Sequence, residues 1–299
     1  MEKIHIIDLE FLKEQHTIAT FLIETRDGPI LIETGPESCW PQLRKQIHQL
    51  GFQLQDIKHV LLTHIHFDHA GAAWKLAETG ATIYVHPSGF PHLASPQRLW
   101  NSAAQIYGDE MNRLWGEMQP ISEAQLKEVN HGEILNFGDI SIKALHTPGH
   151  AVHHVAYQME DMIFTGDVAG VKINNGPVVP PCPPPDIHLE NWKTSLQLLK
   201  DLNPNRFYLT HFGVIESPLP HLEELENILN DWANWMKYHY IHKNDPSTIT
   251  PLFIAYTENQ LRLKGLDKSD IQRYELANPS WMSVAGLMRY WKLRDQGRI

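Results

Sequence analysis

The residues best suited to chemistry crowd into one stretch, THIHFDHAGA (63–72), which puts His64, His66, Asp68 and His69 within six positions. Imidazole nitrogen and carboxylate oxygen are the donors that zinc takes, and they also suit iron or manganese. In an extended segment alternate side chains share a face, so His64 and His66 point the same way. The chain then turns, and Asp68 and His69 follow from the start of a helix. Three further positions carry the same residue types. They are His150 in HTPGHA (146–151), Asp167 in FTGD (164–167) and His211 in LTHFG (209–213). Nineteen histidines against two cysteines direct attention to metal chemistry, since histidine is the commonest metal ligand. Structural zinc sites are closed and rich in Cys. Here Cys39 and Cys182 lie outside all of these motifs, which favours an open, catalytic type of site.

These residues need a frame that holds strand ends together. Short β-branched runs at 4–9, 18–25 and 29–34 read as strands, with Arg26-Asp27-Gly28 as a hairpin signal. IKHVLLT (57–63) is an almost continuous apolar run of the buried-strand type, and it leads straight into His64. Helices are expected at 38–50 and 70–79, with a strand at 81–85 between the second of these and a polar, interrupted segment. That segment, 87–130, reads as a helical insertion carrying Trp100, Tyr107, Met111, Leu114, Trp115 and Met118. Strands return at 133–137, 140–145, 153–158 and 161–165. GPVVPPCPPPD (176–186) holds six prolines and must be an ordered or semi-rigid loop. A helix at 188–201 and a strand at 206–209 follow. Beyond Pro220 the pattern is helical, with Leu222, Leu225, Leu229, Trp232 and Met236 on one stripe. The expected division is a catalytic domain over 1–217 and a helical C-terminal region over 218–299.

In this order, HIHFDH (64–69), GH (149–150), GD (166–167) and TH (210–211) resemble the motifs of the metallo-β-lactamase-fold hydrolases. The resemblance covers roughly residues 4–215. It implies an α/β fold, a four-layer αββα sandwich, here with a helical insertion and a helical C-terminal appendage. It implies two divalent metal ions, zinc by preference, with iron or manganese as alternatives. Carried over by position, His64, His66 and His150 hold the first ion, Asp68, His69 and His211 the second, and Asp167 bridges both. Asp68 also orients the nucleophile, a hydroxide held between the two ions. The nearest branch by resemblance is that of the binuclear glyoxalase II and lactonase enzymes, acting on a small thioester, ester or lactone. An alternative on the same fold is a mononuclear iron, oxygen-dependent sulfur oxidoreductase resembling the persulfide dioxygenases. Three departures from the family pattern stand out. Glu33-Thr34-Gly35 replaces the usual D-T-G, one methylene longer. Gly170 stands where acyl-homoserine lactonases carry Tyr. Class B β-lactamases lack the bridging Asp that this chain has in Asp167.

Composition narrows the partners. The chain has 299 residues, 25 of them Lys or Arg against 35 Asp or Glu, for a formal net charge of −10. Binding nucleic acid or an anionic membrane needs clustered cations, so neither is expected. A small-molecule substrate is expected instead, with the aromatic run from Trp232 to Tyr240 as a candidate homodimer face. MEKIHIIDLEFLKEQ (1–15) has charges throughout and lacks the apolar core of an export signal, so a cytoplasmic protein is expected.

Overall fold

The structure, a computed structural model, describes residues 3–299; the first two residues of the expected catalytic domain lie outside it. The chain divides into two compact units. One takes in the chain up to His146 together with His153–Phe164, and the other holds Thr147–Val152 and Thr165–Ile299.

The first unit opens with a six-stranded sheet in sequence order: β1 (Ile4–Asp8), β2 (Ala19–Ile23), β3 (Ile30–Ile32), β4 (His59–Leu61), β5 (Thr82–Val85) and β6 (Leu126–Glu128). The β1–β2 and β2–β3 pairs are antiparallel, and the sheet is parallel from β3 onward, with Leu31 opposite Val60 and Val60 opposite Ile83. Parallel strands need crossovers, and helices supply them. Helix α1 (Trp40–Gln49) has a proline in its first turn and buries Leu43 and Ile47, four residues apart. Two shorter helices, α2 (Phe67–Ala70) and α3 (Ala73–Glu78), follow β4. Leu43, Ile47 and Leu76 share one buried cluster with Leu31, Val60 and Ile83 of the sheet.

The other strands of this unit form an antiparallel run of β7 (Ile134–Phe137), β8 (Ile140–His146), β9 (Val155–Met159) and β10 (Met162–Phe164). They pack on the first sheet. The Phe21 and Phe164 rings lie 5.2 Å apart, and buried Tyr157 donates its hydroxyl hydrogen to the Leu62 carbonyl at 2.9 Å. The segment 87–130 is helical over α4 (Phe90–Ala94), α5 (Gln97–Tyr107) and α6 (Met111–Leu114). It ends in β6, which the sequence pattern missed. LKE has one buried side chain of three, and an edge strand so short shows no alternation.

The second unit contains α7 (Leu189–Leu202), the hairpin β11 (Arg206–Leu209) and β12 (Gly213–Ile215), and four more helices: α8 (Pro218–Ile241), α9 (Pro246–Leu263), α10 (Lys268–Ala277) and α11 (Ser280–Asp295). The expected stripe on α8 is buried from Leu222 to Met236. The proline loop lies against the last two helices. Its prolines lack N–H groups, so its carbonyls look to side chains for partners. Tyr274 donates to Pro177 at 2.6 Å, Asn278 to Pro180 at 3.2 Å and Arg289 to Pro185 at 3.1 Å. On α11, a Cβ at Gly286 would collide with the Cys182 carbonyl oxygen, so only glycine lets the helix approach so closely.

Candidate metal centre

In the first unit the histidine cluster grows from the carboxyl ends of β3 and β4. Glu33 follows β3 directly. Its backbone sits at φ 65, a left-handed conformation, and its N–H donates to the Leu61 carbonyl at 3.0 Å. Its side chain is fully buried. A carboxylate taken out of water needs donors, and Glu33 is met by the Thr63 N–H at 3.2 Å, the Thr63 hydroxyl and the His69 ring Nδ1 at 2.9 Å, among others. The side chain is one methylene longer than the usual Asp and still reaches His69.

These contacts fix protons by counting donors and acceptors. Thr63 spends its one hydroxyl hydrogen on Glu33, so toward His64 Nδ1, 3.0 Å away, it can only accept. His64 therefore carries its proton on Nδ1 and a lone pair on Nε2. His69 donates from Nδ1 to Glu33, which leaves its Nε2 lone pair too. His64 Nε2 lies 2.9 Å from His66 Nδ1. Two ring nitrogens so close need either a proton or a cation between them. Glu33, His64 and His69 present ligand atoms within 4.8 Å of one another. Asp68 stands at the edge of this group. Its Oδ2 is 3.7 Å from His69 Nε2, and its side chain keeps 21% of its exposure while that of His69 has none.

In the second unit Asp167 is the hub. Its Oδ2 is 3.2 Å from His150 Nε2 and its Oδ1 is 3.5 Å from His211 Nε2, so each carboxylate oxygen addresses one imidazole. All three side chains are buried. His150 donates from Nδ1 to the Pro181 carbonyl at 2.9 Å, which again leaves the lone pair on Nε2. The proline loop thus sets the His150 tautomer, and α10 and α11 brace the loop. Gly149 makes the turn into His150. A Cβ there would collide with the Trp192 backbone, and its φ of 140 favours glycine besides. Trp192 packs edge-on to the His150 ring at 5.9 Å and donates to the Val168 carbonyl at 2.8 Å. His211 is held by its backbone, whose carbonyl accepts from the Lys172 N–H at 2.6 Å.

Of the seven residues singled out from sequence, the structure gathers His64, His66, Asp68 and His69 in the first unit. It gathers His150, Asp167 and His211 in the second. In the first, Glu33, His64 and His69 could hold a metal ion; the second sets one carboxylate against two imidazoles. The sequence pattern placed His153 and His154 in a strand, pointing to opposite faces. The strand begins only at Val155. Both rings flank His64, His153 at 6.1 Å and His154 at 5.2 Å, and His153 also meets His66 edge-on at 5.9 Å.

The family model of the metallo-β-lactamase superfamily matches residues 15–211. The metallo-beta-lactamase fold-containing protein ST1585 of Sulfurisphaera tokodaii is 30% identical over 181 residues, which are 59% of this chain and 68% of that protein. The beta-lactamase-like protein 2 homolog of Drosophila melanogaster is 25% identical over 292 residues, 94% of this chain and 83% of that protein. Among solved structures, the metallo-beta-lactamase family protein TTHA1429 from Thermus thermophilus superposes with a TM-score of 0.67 at 20% identity, covering 99% of this chain and 94% of that one. Likeness at that identity is a likeness of fold, and it agrees with the expected αββα sandwich and helical C-terminal region. The family match runs through every motif from His64 to His211, and by it this chain belongs to the metallo-β-lactamase superfamily.

Proposed function

We propose that the chain is a metal-dependent hydrolase whose centre holds two divalent ions, zinc in our reading, on His64, His66, Asp68, His69, His150, Asp167 and His211. The observation that carries this reading is the state of the imidazoles. His64, His69 and His150 each have Nδ1 engaged by a protein oxygen, leaving the Nε2 lone pair to bind a cation. A histidine kept only for packing has no need of such an arrangement three times over. When bound, paired divalent ions lower the pKa of water toward neutrality and polarise the oxygen of an acyl group.

The chain's own residues do the rest. Glu33, Thr63 and Pro181 hold the rings in their ligand tautomers. Asp167 offers one oxygen to each of two histidines, the form a bridging carboxylate takes. Asp68, like His66, is half-buried, while His64 and His69 are fully buried. From there the Asp68 carboxylate orients the incoming nucleophile and takes up the proton released in attack.

The substrates that fit best are small thioesters, esters or lactones. The insertion presents Trp100, Tyr107, Trp115 and Met118 against Phe67, next to Asp68, and this apolar surface suits an acyl group. The test begins with elemental analysis of protein purified without added metal, followed by a panel of thioesters and lactones. About two zinc ions per chain with turnover on the panel is the expected result. One iron per chain with oxygen uptake on a persulfide would overturn the hydrolase in favour of the oxidoreductase. Failure to take up any metal on reconstitution would overturn both. Unchanged metal content and hydrolysis in Asp167→Ala would remove the bridging role.

A further inference from the structure

The second unit carries a cleft that the metal chemistry does not use. It encloses about 1250 Å³ between α8, α9, α10 and the start of α11, and Pro177 and Val179 of the proline loop border it. That is ample for a small organic ligand, whose sites commonly hold about 300–1,000 Å³. None of the seven residues proposed as metal ligands lines it. Its apolar lining includes buried Trp232, Leu261 and Ile271. The Trp232 indole N–H is already spent on the Gln260 side-chain carbonyl at 3.0 Å, so the ring offers an occupant apolar surface only.

Charge decides the kind of occupant. Of the carboxylates on the lining, Glu224 pairs with Lys264 at 3.1 Å and Glu258 with Arg262 at 3.0 Å. Glu223 and Lys268 are exposed to water. Glu275 is half-buried, and among the described residues it has no ion pair. Its two oxygens accept from the Ser280 N–H at 2.9 Å and the Ser280 hydroxyl at 2.7 Å. A carboxylate oxygen has two lone pairs, so each can accept once more. Burial lifts the Glu275 carboxyl above its usual range against those two bonds, and the Glu258 charge adds to the lift. A cation beside it would relieve that cost.

We propose that this cleft binds a small organic cation, a primary amine with an apolar body: the ammonium donates to Glu275, and the body lies on Trp232, Leu261 and Ile271. The inference goes beyond the hydrolase reading and does not depend on it, since the two sites share no residue.

The test is calorimetric titration of the full chain with phenethylamine, beside its neutral counterpart 2-phenylethanol. Expected are one amine bound per chain and an affinity for the alcohol lower by at least about tenfold, the factor that a hydrogen bond to a charged group supplies. Glu275→Gln keeps an acceptor for Ser280 and removes the charge, so amine affinity is expected to fall by about tenfold or more. Ile228→Trp fills the cleft from α8 while leaving Glu275 in place, and is expected to abolish amine binding. The melting temperature shows whether each variant folds, and if Glu275→Gln does not, Ile228→Trp decides. Equal affinity for amine and alcohol, or no binding of the amine, would overturn the proposal. So would amine binding that survives both variants, as coordination to a metal ion would.

Discussion

Glu33→Gln is the most informative single change, because it alters one atom and its consequences divide cleanly. The wild-type carboxylate accepts from the Thr63 N–H, the Thr63 hydroxyl and His69 Nδ1, two of these on Oε1. A glutamine has one acceptor oxygen and a donating NH2. If the oxygen keeps its place toward Thr63 and His69, the NH2 faces the Thr63 N–H, donor against donor. If the NH2 takes the place of Oε1, His69 must accept on Nδ1 and move its proton to Nε2. That second outcome removes the lone pair offered to the metal. A charge-assisted hydrogen bond contributes about 1.5–3 kcal/mol, and loss of a partner that orients a metal-binding histidine weakens the metal by about 10–100-fold. The two figures agree, since each factor of ten is about 1.4 kcal/mol. The assay is zinc competition with a chromophoric chelator, which resolves two binding steps. One step is expected to weaken by about 10–100-fold and the other, supported only through Thr63, by clearly less. Equal weakening of both, or of neither, would refute the idea that Glu33 acts through His69.

Other outcomes follow from the same contacts. Asp167→Asn is expected to weaken metal binding by at least about 100-fold and to lower the metal count per chain, because His150 and His211 lose the anion they share; elemental analysis after dialysis decides it. Gly149→Ala is expected to lower stability by about 2–4 kcal/mol, since the new Cβ meets Trp192 and the backbone is held at φ 140; an unchanged urea midpoint would refute the packing argument. Buried His221 donates to the Ala169 carbonyl at 2.7 Å, and burial holds its imidazole down at about 4. Its unfolded value is about 6.5, so between the two the unfolded chain binds more protons, and stability is lost as pH falls, by about 3 kcal/mol in all. Urea unfolding at pH 7 and pH 4.5 should show this loss, and His221→Gln should flatten it. Burial pushes the thiols of Cys39, to about 12, and of Cys182 well up. Both should resist alkylation in the native protein and react on unfolding.

Much of the frame was legible because its signals are local. IKHVLLT announces a buried strand, and it delivers Thr63 and His64 to the end of β4. The α8 stripe announces a helix, and all five of its residues are buried. Where signals are not local, the pattern is silent. Strand β6 exists because Leu126 comes to lie opposite Ile83 and Glu128 opposite Val85 on β5, and nothing in LKE itself demands a strand. His153 and His154 fit strand alternation by type, yet the strand starts two residues later. Their rings turn to His64 instead, and Val155 bonds the neighbouring backbone, donating to Thr63 at 2.7 Å. The ligand residues could be named from spacing. Their tautomers could not, because Thr63, Glu33 and Pro181 are ordinary residues until the fold sets them against a ring.

The three locks differ in kind, and the difference has a consequence. His69 is held by a buried carboxylate, His64 by a hydroxyl that itself leans on that carboxylate, and His150 by a backbone carbonyl. An anion behind the imidazole makes its far nitrogen more basic than a neutral carbonyl does. Glu33 therefore supports His69 directly and His64 through Thr63, one histidine for each of the two ions in the proposed assignment. The direct contact is the stronger, which makes the ion on His69 the one more dependent on Glu33. The carbonyl behind His150 lends less basicity but more rigidity, because the proline loop that carries it is pinned at Pro177, Pro180 and Pro185. Loosening that loop, as Tyr274→Phe would at Pro177, frees the His150 ring to turn. It should speed metal loss without changing the charge at the site. Loss of zinc to excess chelator, followed in time, separates the two kinds of support. A faster release in Tyr274→Phe with an unchanged Glu33-dependent step is expected; release at the wild-type rate would show that the loop does not hold the ring.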